Sequence, residues 1–374
     1  MTDRLRIVHC FRSPVGGIFR HVRDLVEEQI AGGHSVGIVC DSSTGGAFED
    51  AFFAELEPRL ELGLHRMAMQ RAIGPRDAVA LWRTYKALRS ERPDVLHSHG
   101  AKGGAYARII GSLLRRSQPR LARIYCPHGG SVHYDAGTRV GRLYFRMERT
   151  LERMTDRLVF VSAYERDAYV AKVGTPSCPH DLIPNGLAPA EFVLVVPTQD
   201  ARDFLYIGMM RDLKGADLFI EALAQLPDAT AHMVGDGPDR AAYEARAGEL
   251  ALNNRLTFHE PMPVREAFAL ARTVVVPSRA ESMPYVVLET LAAGRPLIAT
   301  NVGGIPEIYE GRTETLIEPN RLDALLAAMR ADLRGDRVAP DPQTMREDVL
   351  GRFSRDAMAR AVMGAYRRTL DAAA

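Results

Sequence analysis

The sequence predicts an α/β protein made of two similar domains, each a parallel sheet covered by helices. Three observations carry that prediction. Short apolar, β-branched runs alternate with helical patterns in both halves of the 374-residue chain, as parallel sheets with helical crossovers require. The stretch 183–197, with Asn185-Gly186 and three prolines, punctuates the two patterns and is expected to be the linker. Charge also divides there: about 27 Lys+Arg and about 20 Asp+Glu precede Ala190, against about 21 and about 27 from it onward.

In the first half the expected strands are 5–10, 35–40, 95–97, 123–126 and 158–161, with helices between most of them. The second half offers 204–207, 231–234, 256–259, 274–277, 297–300 and 315–318. A final helical pattern, 354–370, is expected to cross back onto the first domain. The resulting division is 1–185, 186–352 and a crossover segment 353–374. Open α/β sheets bind ligands beyond the carboxyl ends of their strands, so the natural site is the cleft between the two domains.

Composition fits a sizeable globular enzyme, with 46% hydrophobic and 25% charged residues. A net charge of +1 gives no nucleic-acid footprint. Cys10, Cys40, Cys126 and Cys178 lack metal-ligand spacing, and three of them end strand-like runs, so they read as reduced packing residues of a cytosolic protein. No apolar run approaches the roughly 20 residues needed to span a bilayer.

The most specific segment is Pro277-Ser278-Arg279-Ala280-Glu281-Ser282-Met283-Pro284-Tyr285-Val286-Val287-Leu288-Glu289, followed by Gly303-Gly304-Ile305-Pro306-Glu307. Glu281 is expected in the turn at a strand's carboxyl edge, and Glu289 on the helix that follows. Pro284 suits a first helical position, where its missing N–H costs nothing. The Met283 and Tyr285 amides would then face an anion at the positive helix end. One carboxylate can hold a hexose and the other a ribose. Alone, two glutamates eight residues apart would be a solvated helix face; the flanking residues point elsewhere.

Four further features converge on phosphates and sugars. Ser13-Pro14-Val15-Gly16-Gly17 follows the first strand and opens a helix, where missing Cβ atoms allow close approach of a phosphate. Gly208-Met209-Met210-Arg211-Asp212-Leu213-Lys214-Gly215 also joins a strand to a helix, and Arg211 and Lys214 can bracket a diphosphate. Gly235-Asp236-Gly237-Pro238 is a turn expected near a base or pyrophosphate. His97, His99, His128 and His133 sit at strand ends; no helical zinc spacing, thiolate or carboxylate completes a metal set. His128 is therefore expected to be a hydrogen bonder lining the cleft.

These motifs together resemble the retaining family 4 glycosyltransferases of the GT-B fold. The resemblance rests on Gly16-Gly17, His128-Gly129, Val161-Ser162, Ile183-Pro184-Asn185-Gly186, Arg211 with Lys214-Gly215, Gly235-Asp236-Gly237-Pro238, the 281–289 frame, and its continuation in Ala293-Gly294-Arg295-Pro296 and Gly303 to Glu307. It implies two Rossmann-like domains facing across a deep cleft. It also implies transfer of a sugar from a UDP- or GDP-linked donor, with no cofactor and no metal. Arg211 and Lys214 would neutralise the departing diphosphate, helped by amides near Gly17 and Met283. Glu281 and His128 would hold the donor sugar, and Glu289 the ribose. Gly16, Gly17, Gly235, Gly237, Ser282, Met283 and Tyr285 would line the nucleotide site. Met209 stands where the family often has arginine, so the cation is assigned to Arg211. Pro284 replaces a common glycine and removes one phosphate-binding amide.

The acceptor side is read from arginines at 139, 142, 146, 149, 153 and 157, beside the mainly apolar Leu143, Met147, Thr150, Leu151, Met154 and Leu158. One reading is a helix against an anionic membrane surface or a lipid-phosphate acceptor. The other, favoured here, is a core-packed helix whose apolar arc faces inward and whose arginine stripe is solvated. The expected reaction is hexosyl transfer to a glycan or lipid-linked acceptor in bacterial cell-surface polysaccharide synthesis, in the cytoplasm or at the inner membrane face. Epimerisation of a bound sugar nucleotide, or nucleotide-sugar binding without catalysis, are the alternatives.

Overall fold

Residues 4–70 and 74–373 are described by the computed structural model. They divide into two units, Met1–Asn185 with Arg355–Ala374, and Gly186–Ser354. The first unit runs β1 (Arg6–Phe11), α1 (Gly16–Ala31), β2 (Ser35–Asp41), α2 (Ala47–Leu56), β3 (Leu64–Met67), α3 (Arg76–Glu91), β4 (Val95–His99), α4 (Gly100–Leu114), β5 (Ala122–Cys126), α5 (Arg139–Glu152), β6 (Arg157–Phe160), α6 (Ala163–Lys172) and β7 (His180–Leu182). The second runs β8 (Arg202–Ile207), α7 (Ala216–Ala224), β9 (Ala231–Val234), α8 (Arg240–Glu249), β10 (Leu256–His259), α9 (Val264–Ala269), β11 (Ala271–Val276), α10 (Tyr285–Ala292), β12 (Leu297–Ala299), α11 (Ile305–Tyr309), α12 (Leu322–Arg334) and α13 (Pro342–Arg352). A last helix, α14 (Arg355–Asp371), returns to the first unit.

Both sheets are parallel. The seven strands of the first lie in the order β3-β2-β1-β4-β5-β6-β7, and the five of the second in the order β10-β9-β8-β11-β12. Parallel strands with helices on both faces bury both sets of side chains, which is why β2 is buried along its whole length. In the first unit Val8, Cys10, Val39 and Leu96 feed one core layer, and Phe11, Val36, Ile38 and Cys40 the opposite one. Phe204, Tyr206, Phe219, Ile220, Met233 and Val275 centre the second unit. Each such side chain contributes roughly 1.5–3 kcal/mol by leaving water. In each sheet the chain reverses its direction of growth at one place, between β1 and β4 and between β8 and β11. Ligands of open α/β sheets gather beyond the carboxyl ends of such strands.

Several sequence expectations are corrected. Residues 315–318 form no strand: a 3-10 turn spans Thr313–Thr315, and Ile317 makes only a single bridge to Thr300. Two edge strands went unread. β3 (LHRM) has no β-branched residue, and β7 (HDL) is three residues long and mostly solvent-facing. The expected linker is docked structure from Leu187 onward. Leu187 bridges Ser354, Phe192 is buried, and the Arg346 and Arg265 guanidinium groups donate to the Phe192 and Val193 carbonyls, each at 2.6 Å. Polar side chains from elsewhere thus satisfy a backbone that reads as loop.

The arginine-striped pattern ends as a helix at Glu152, because Arg157 already belongs to β6. Its inward face is also not the apolar arc. Gly141, Phe145, Glu148 and Glu152 are buried, whereas Leu143 and Val140 are more than half exposed. Glu148 faces inward because three groups await it: the buried Arg108 guanidinium at 2.8 Å, and the Tyr125 and Ser131 hydroxyls at 3.0 Å each. Glu152 likewise accepts from Tyr169 at 2.8 Å and Ser177 at 2.6 Å. A buried carboxylate so satisfied outcompetes a leucine for the interior position.

Candidate active site

The second unit assembles a compact ionic group beyond β8 and β11. β8 leads through Gly208 into the turn Asp212–Lys214 and then α7. β11 leads through Pro277 and Ser278 to Glu281 and then α10. The Lys214 ammonium donates to both Glu281 oxygens, at 2.6 and 2.8 Å, and the Ser278 hydroxyl donates to Glu281 Oε1 at 2.8 Å. The Ser278 carbonyl in turn accepts from the Thr300 hydroxyl at 2.7 Å. Glu281 is 5% exposed, and with two ammonium protons occupied Lys214 retains one for a ligand. Lys214 is thus first the partner of Glu281, where the sequence reading had set it beside Arg211 as one of two diphosphate cations. Arg211 is half-buried at the head of the turn, and its guanidinium has no hydrogen bond or ion pair among the described residues. Arg279, unassigned by sequence reasoning, grips Asp217 through two bonds of 2.7 and 2.6 Å and the Asp212 carbonyl at 2.5 Å, tying the first turn of α7 to the Glu281 loop.

Glycines make the close approach of these loops feasible. At Gly303, φ is +61°, and a Cβ would lie 1.8 Å from the Glu281 carbonyl oxygen. At Gly215, φ is +67°, and a Cβ would lie 2.1 Å from the Pro277 carbonyl oxygen. Only glycine permits both the left-handed backbone and the contact. Gly235 and Gly237 serve the same purpose. Their missing side chains face the carbonyls of Gly208 and Met210, at 2.1 and 2.3 Å from an added Cβ, so each is needed first to seat the loop after β9 against the Arg211 loop. Ser282, Met283, Tyr285 and Glu289 are all buried, with Glu289 on α10 and Ser282 and Met283 just ahead of it. Pro284 is the residue preceding that helix, with extended backbone (φ −75°, ψ 123°), rather than its first helical position, which Tyr285 takes.

The first unit places a different chemistry at the equivalent location. β1 contributes His9, β4 contributes His97 and His99, and the turn after β5 contributes His128; the strand register sets His9 beside His97. His21 on α1 joins them, its Nδ1 donating to Asn185 Oδ1 at 2.9 Å. Sequence reasoning singled out His97, His99 and His128 but missed His9 and His21, which gather only when β1 and β4 pair. His133 lies instead in the turn Ser131–His133. His128 has φ +50°, and the adjoining Gly129 amide donates to Glu165, whose other oxygen accepts from the Val161 amide at 2.9 Å. Gly16 (φ +64°) and Gly17 are exposed at the start of α1.

Burial keeps these imidazoles neutral. His9 and His21 are pulled down to about 4, and His97, His99 and His128 lie well below the ordinary histidine range; desolvation is the main cause, and for all but His9 the neighbouring rings add repulsion. Ligand atoms of His21, His99, Cys126 and His128 lie within 4.8 Å of one another, so the fold supplies the thiol that spacing alone did not reveal. Burial pushes that thiol well above its usual range, and His99 Nδ1 and His128 Nε2 share a hydrogen bond at 3.0 Å. The cluster is thus a neutral, hydrogen-bonded one.

Two family models match this chain. A glycosyl transferase 4-like domain matches residues 16–186, and a glycosyl transferases group 1 domain matches 201–334. Glycogen synthase of Mycobacterium tuberculosis is 28% identical over 346 residues, covering 85% of this chain and 83% of that protein. A GDP-mannose-dependent alpha-(1-6)-phosphatidylinositol monomannoside mannosyltransferase of Mycolicibacterium smegmatis is 28% identical over 276 residues, covering 65% and 68%. The structure of sucrose-phosphate synthase from Thermosynechococcus elongatus superposes with a TM-score of 0.77 at 21% identity, covering 98% of this chain and all of that one. The fold is GT-B, with two Rossmann-like domains, and the chain belongs to the glycosyltransferases of the group 1 type.

Proposed function

We propose that the protein transfers a hexosyl group, with retention of anomeric configuration and without a divalent metal, from a UDP- or GDP-linked sugar to a glycan or lipid-linked acceptor. The observation that carries this reading is the ionic group beyond β8 and β11: an Arg211 guanidinium with no ion pair among the described residues, three residues before Lys214 of a Lys214–Glu281–Ser278 cluster. Charge builds on the diphosphate as the glycosidic bond breaks, and fixed cations stabilise it most at that moment. Arg211 and the remaining Lys214 proton take that role, with amides at the starts of α1 and α10 assisting. Glu281, held by Lys214 and Ser278, accepts hydroxyls of the donor sugar, and Glu289 those of the ribose. Gly16, Gly17, Gly235, Gly237, Ser282, Met283 and Tyr285 shape the nucleotide's surroundings, and His128 gives a polar contact to the sugar.

Glu281 is a poor nucleophile in this arrangement, since hydrogen bonds from Lys214 and Ser278 stabilise its negative charge. The acceptor hydroxyl is instead taken to attack from the face the diphosphate leaves, with the donor phosphate receiving its proton. The lipid-linked acceptor is supported by the relative that acts on a phosphatidylinositol mannoside and by α5, which exposes Arg139, Val140, Arg142, Leu143 and Arg146 together. No described helix is long and apolar enough to cross a membrane. On this reading the reaction belongs to bacterial cell-surface polysaccharide synthesis, in the cytoplasm or with α5 against the inner leaflet. Incubation with UDP-, GDP- and ADP-sugars and lipid-linked acceptors in EDTA, with the product anomer assigned by NMR, tests the reading. Retained configuration in EDTA supports it; inversion, dependence on added metal, or turnover to an altered sugar nucleotide without acceptor overturns it.

A further inference from the structure

The buried histidines of the first unit form a directed chain. The Gln29 amide oxygen lies 2.8 Å from His9 Nε2, His9 Nδ1 lies 2.9 Å from His99 Nε2, and His99 Nδ1 lies 3.0 Å from His128 Nε2. Gln29, His9 and His99 are each no more than 1% exposed. The amide nitrogen of Gln29 points the other way, to the Tyr366 hydroxyl of α14 at 3.4 Å, and that hydroxyl meets His97 Nδ1 at 2.6 Å. No water is needed to complete the chain, so its protons are set by the side chains themselves.

A neutral imidazole has one N–H and one lone pair. Three neutral rings in series therefore share a single choice: fixing the proton at one end fixes it at every link. An amide oxygen can only accept, so His9 carries its proton on Nε2 and its Nδ1 must accept. His99 then carries its proton on Nε2, and its Nδ1 accepts from His128 Nε2–H. The last ring is left with a bare Nδ1. His128 Nδ1 has no hydrogen-bond partner among the described side chains, and His128 is only partly buried.

We infer that Gln29 is a positioning residue that sets the tautomer of His128 through His9 and His99, so that His128 offers an acceptor nitrogen that selects a donor-sugar hydroxyl. This rests on the assignment of His128 to the sugar. Gln29 is on α1, four links from any ligand, and acts only through the ring it orients. Turning its amide over would reverse every proton in the chain and convert His128 Nδ1 into a donor. In the orientation observed, the Tyr366 hydroxyl accepts a hydrogen bond from the amide nitrogen and donates one to His97 Nδ1.

The test is the two-bond 15N–1H correlation pattern of the histidine side chains in the full-length protein. In the unaltered protein His9, His99 and His128 should all show the Nε2–H tautomer; His128 protonated on Nδ1, or stoichiometric metal found on the purified protein by elemental analysis, overturns the inference. In Gln29→Met, which keeps the volume and removes the oxygen, His9 and His128 should both shift toward mixed tautomers with the melting temperature little changed. An unaltered pattern in a folded variant overturns it, and if that variant fails to fold the unaltered protein's own spectrum still decides. Activity supplies the second readout. Replacing the contacted donor hydroxyl by fluorine, which cannot donate, should cost the native enzyme about tenfold or more in kcat/KM, and Gln29→Met should shrink that penalty. If His128→Ala leaves transfer unchanged, the sugar assignment fails, while the tautomer measurement stands or falls separately.

Discussion

Two parallel sheets of the same type carry opposite electrostatics at their switch points. Beyond β8 and β11 the second unit sets formal charges in contact, Lys214 on Glu281 and Arg279 on Asp217, beside Arg211, whose guanidinium has no ion pair among the described residues. Beyond β1 and β4 the first unit sets five imidazoles that burial keeps uncharged. The sheet topology is shared, but the side chains at the carboxyl edges differ: formal charges in one unit, neutral imidazoles in the other. Under the proposed function, the first suits a charged group and the second hydroxyl geometry.

The difference can be broken from either side, and the largest effect belongs to the charged one. Lys214→Ala should lower kcat by about 10²–10³ while changing donor affinity much less, because the cation counts most when the diphosphate departs. Equal losses in kcat/KM and affinity, measured by steady-state kinetics and calorimetry, would assign Lys214 to uniform binding. Gly303→Ala should destabilise the second unit by about 3 kcal/mol or more, since both the backbone and the Glu281 carbonyl resist a Cβ. Gly33→Ala, at φ +82° with open space around it, should cost only about 1 kcal/mol. Denaturant titration of the pair separates contact from backbone strain.

Acid should distinguish the units next. Folded-state pKa values of about 4 for His9 and His21 lie below the unfolded value of 6.5, so the unfolded chain binds protons first as pH falls. Their contribution is present above pH 6.5 and is lost between 6.5 and 4, at about 1.4 kcal/mol per histidine per pH unit. In the second unit His232 is also pulled down to about 4 and His259 shifts in the same direction, both half-buried, so that unit carries two such groups against five. Hydrogen exchange from pH 7 to 5 should show β1 and β4 amides losing protection before those of β8 and β11; the reverse order would refute the contrast. The smallest effect is expected at Arg142, exposed on α5. Its alanine variant should keep stability within about 0.5 kcal/mol, so any loss of sedimentation with anionic vesicles would report surface contact alone.

How much of this was legible follows from the range of the interactions involved. Central strands announce themselves by local β-branched runs, and the 277–289 frame is contiguous, so both were readable. The turns at Gly215 and Gly235 were readable as turns, but their close contacts join segments dozens of residues apart, and no spacing rule reports a missing Cβ facing a distant carbonyl. The inward face of α5 was misread for the same reason: Glu148 is buried because of Arg108, 40 residues earlier, and sequence periodicity counts it as solvent-facing. Of the histidine chain, His97 and His99 were visible as alternate residues of one strand. His9 and Gln29 became partners only through the pairing of β1 with β4 and the packing of α1.

The return of α14 has a consequence for how the protein is made. Tyr366 is wholly buried against His97 and Gln29, and Arg157 of β6 donates to Thr369 at 2.9 Å. The first unit is thus closed by residues that are made only after the whole second unit has been synthesised. Domains fold as units during synthesis, and here the N-terminal one must wait, with the surface that α14 will cover still exposed, while its C-terminal neighbour can complete its core. A chain interrupted before Arg355 would keep every residue of the charged site yet leave the imidazole site without its Tyr366 wall.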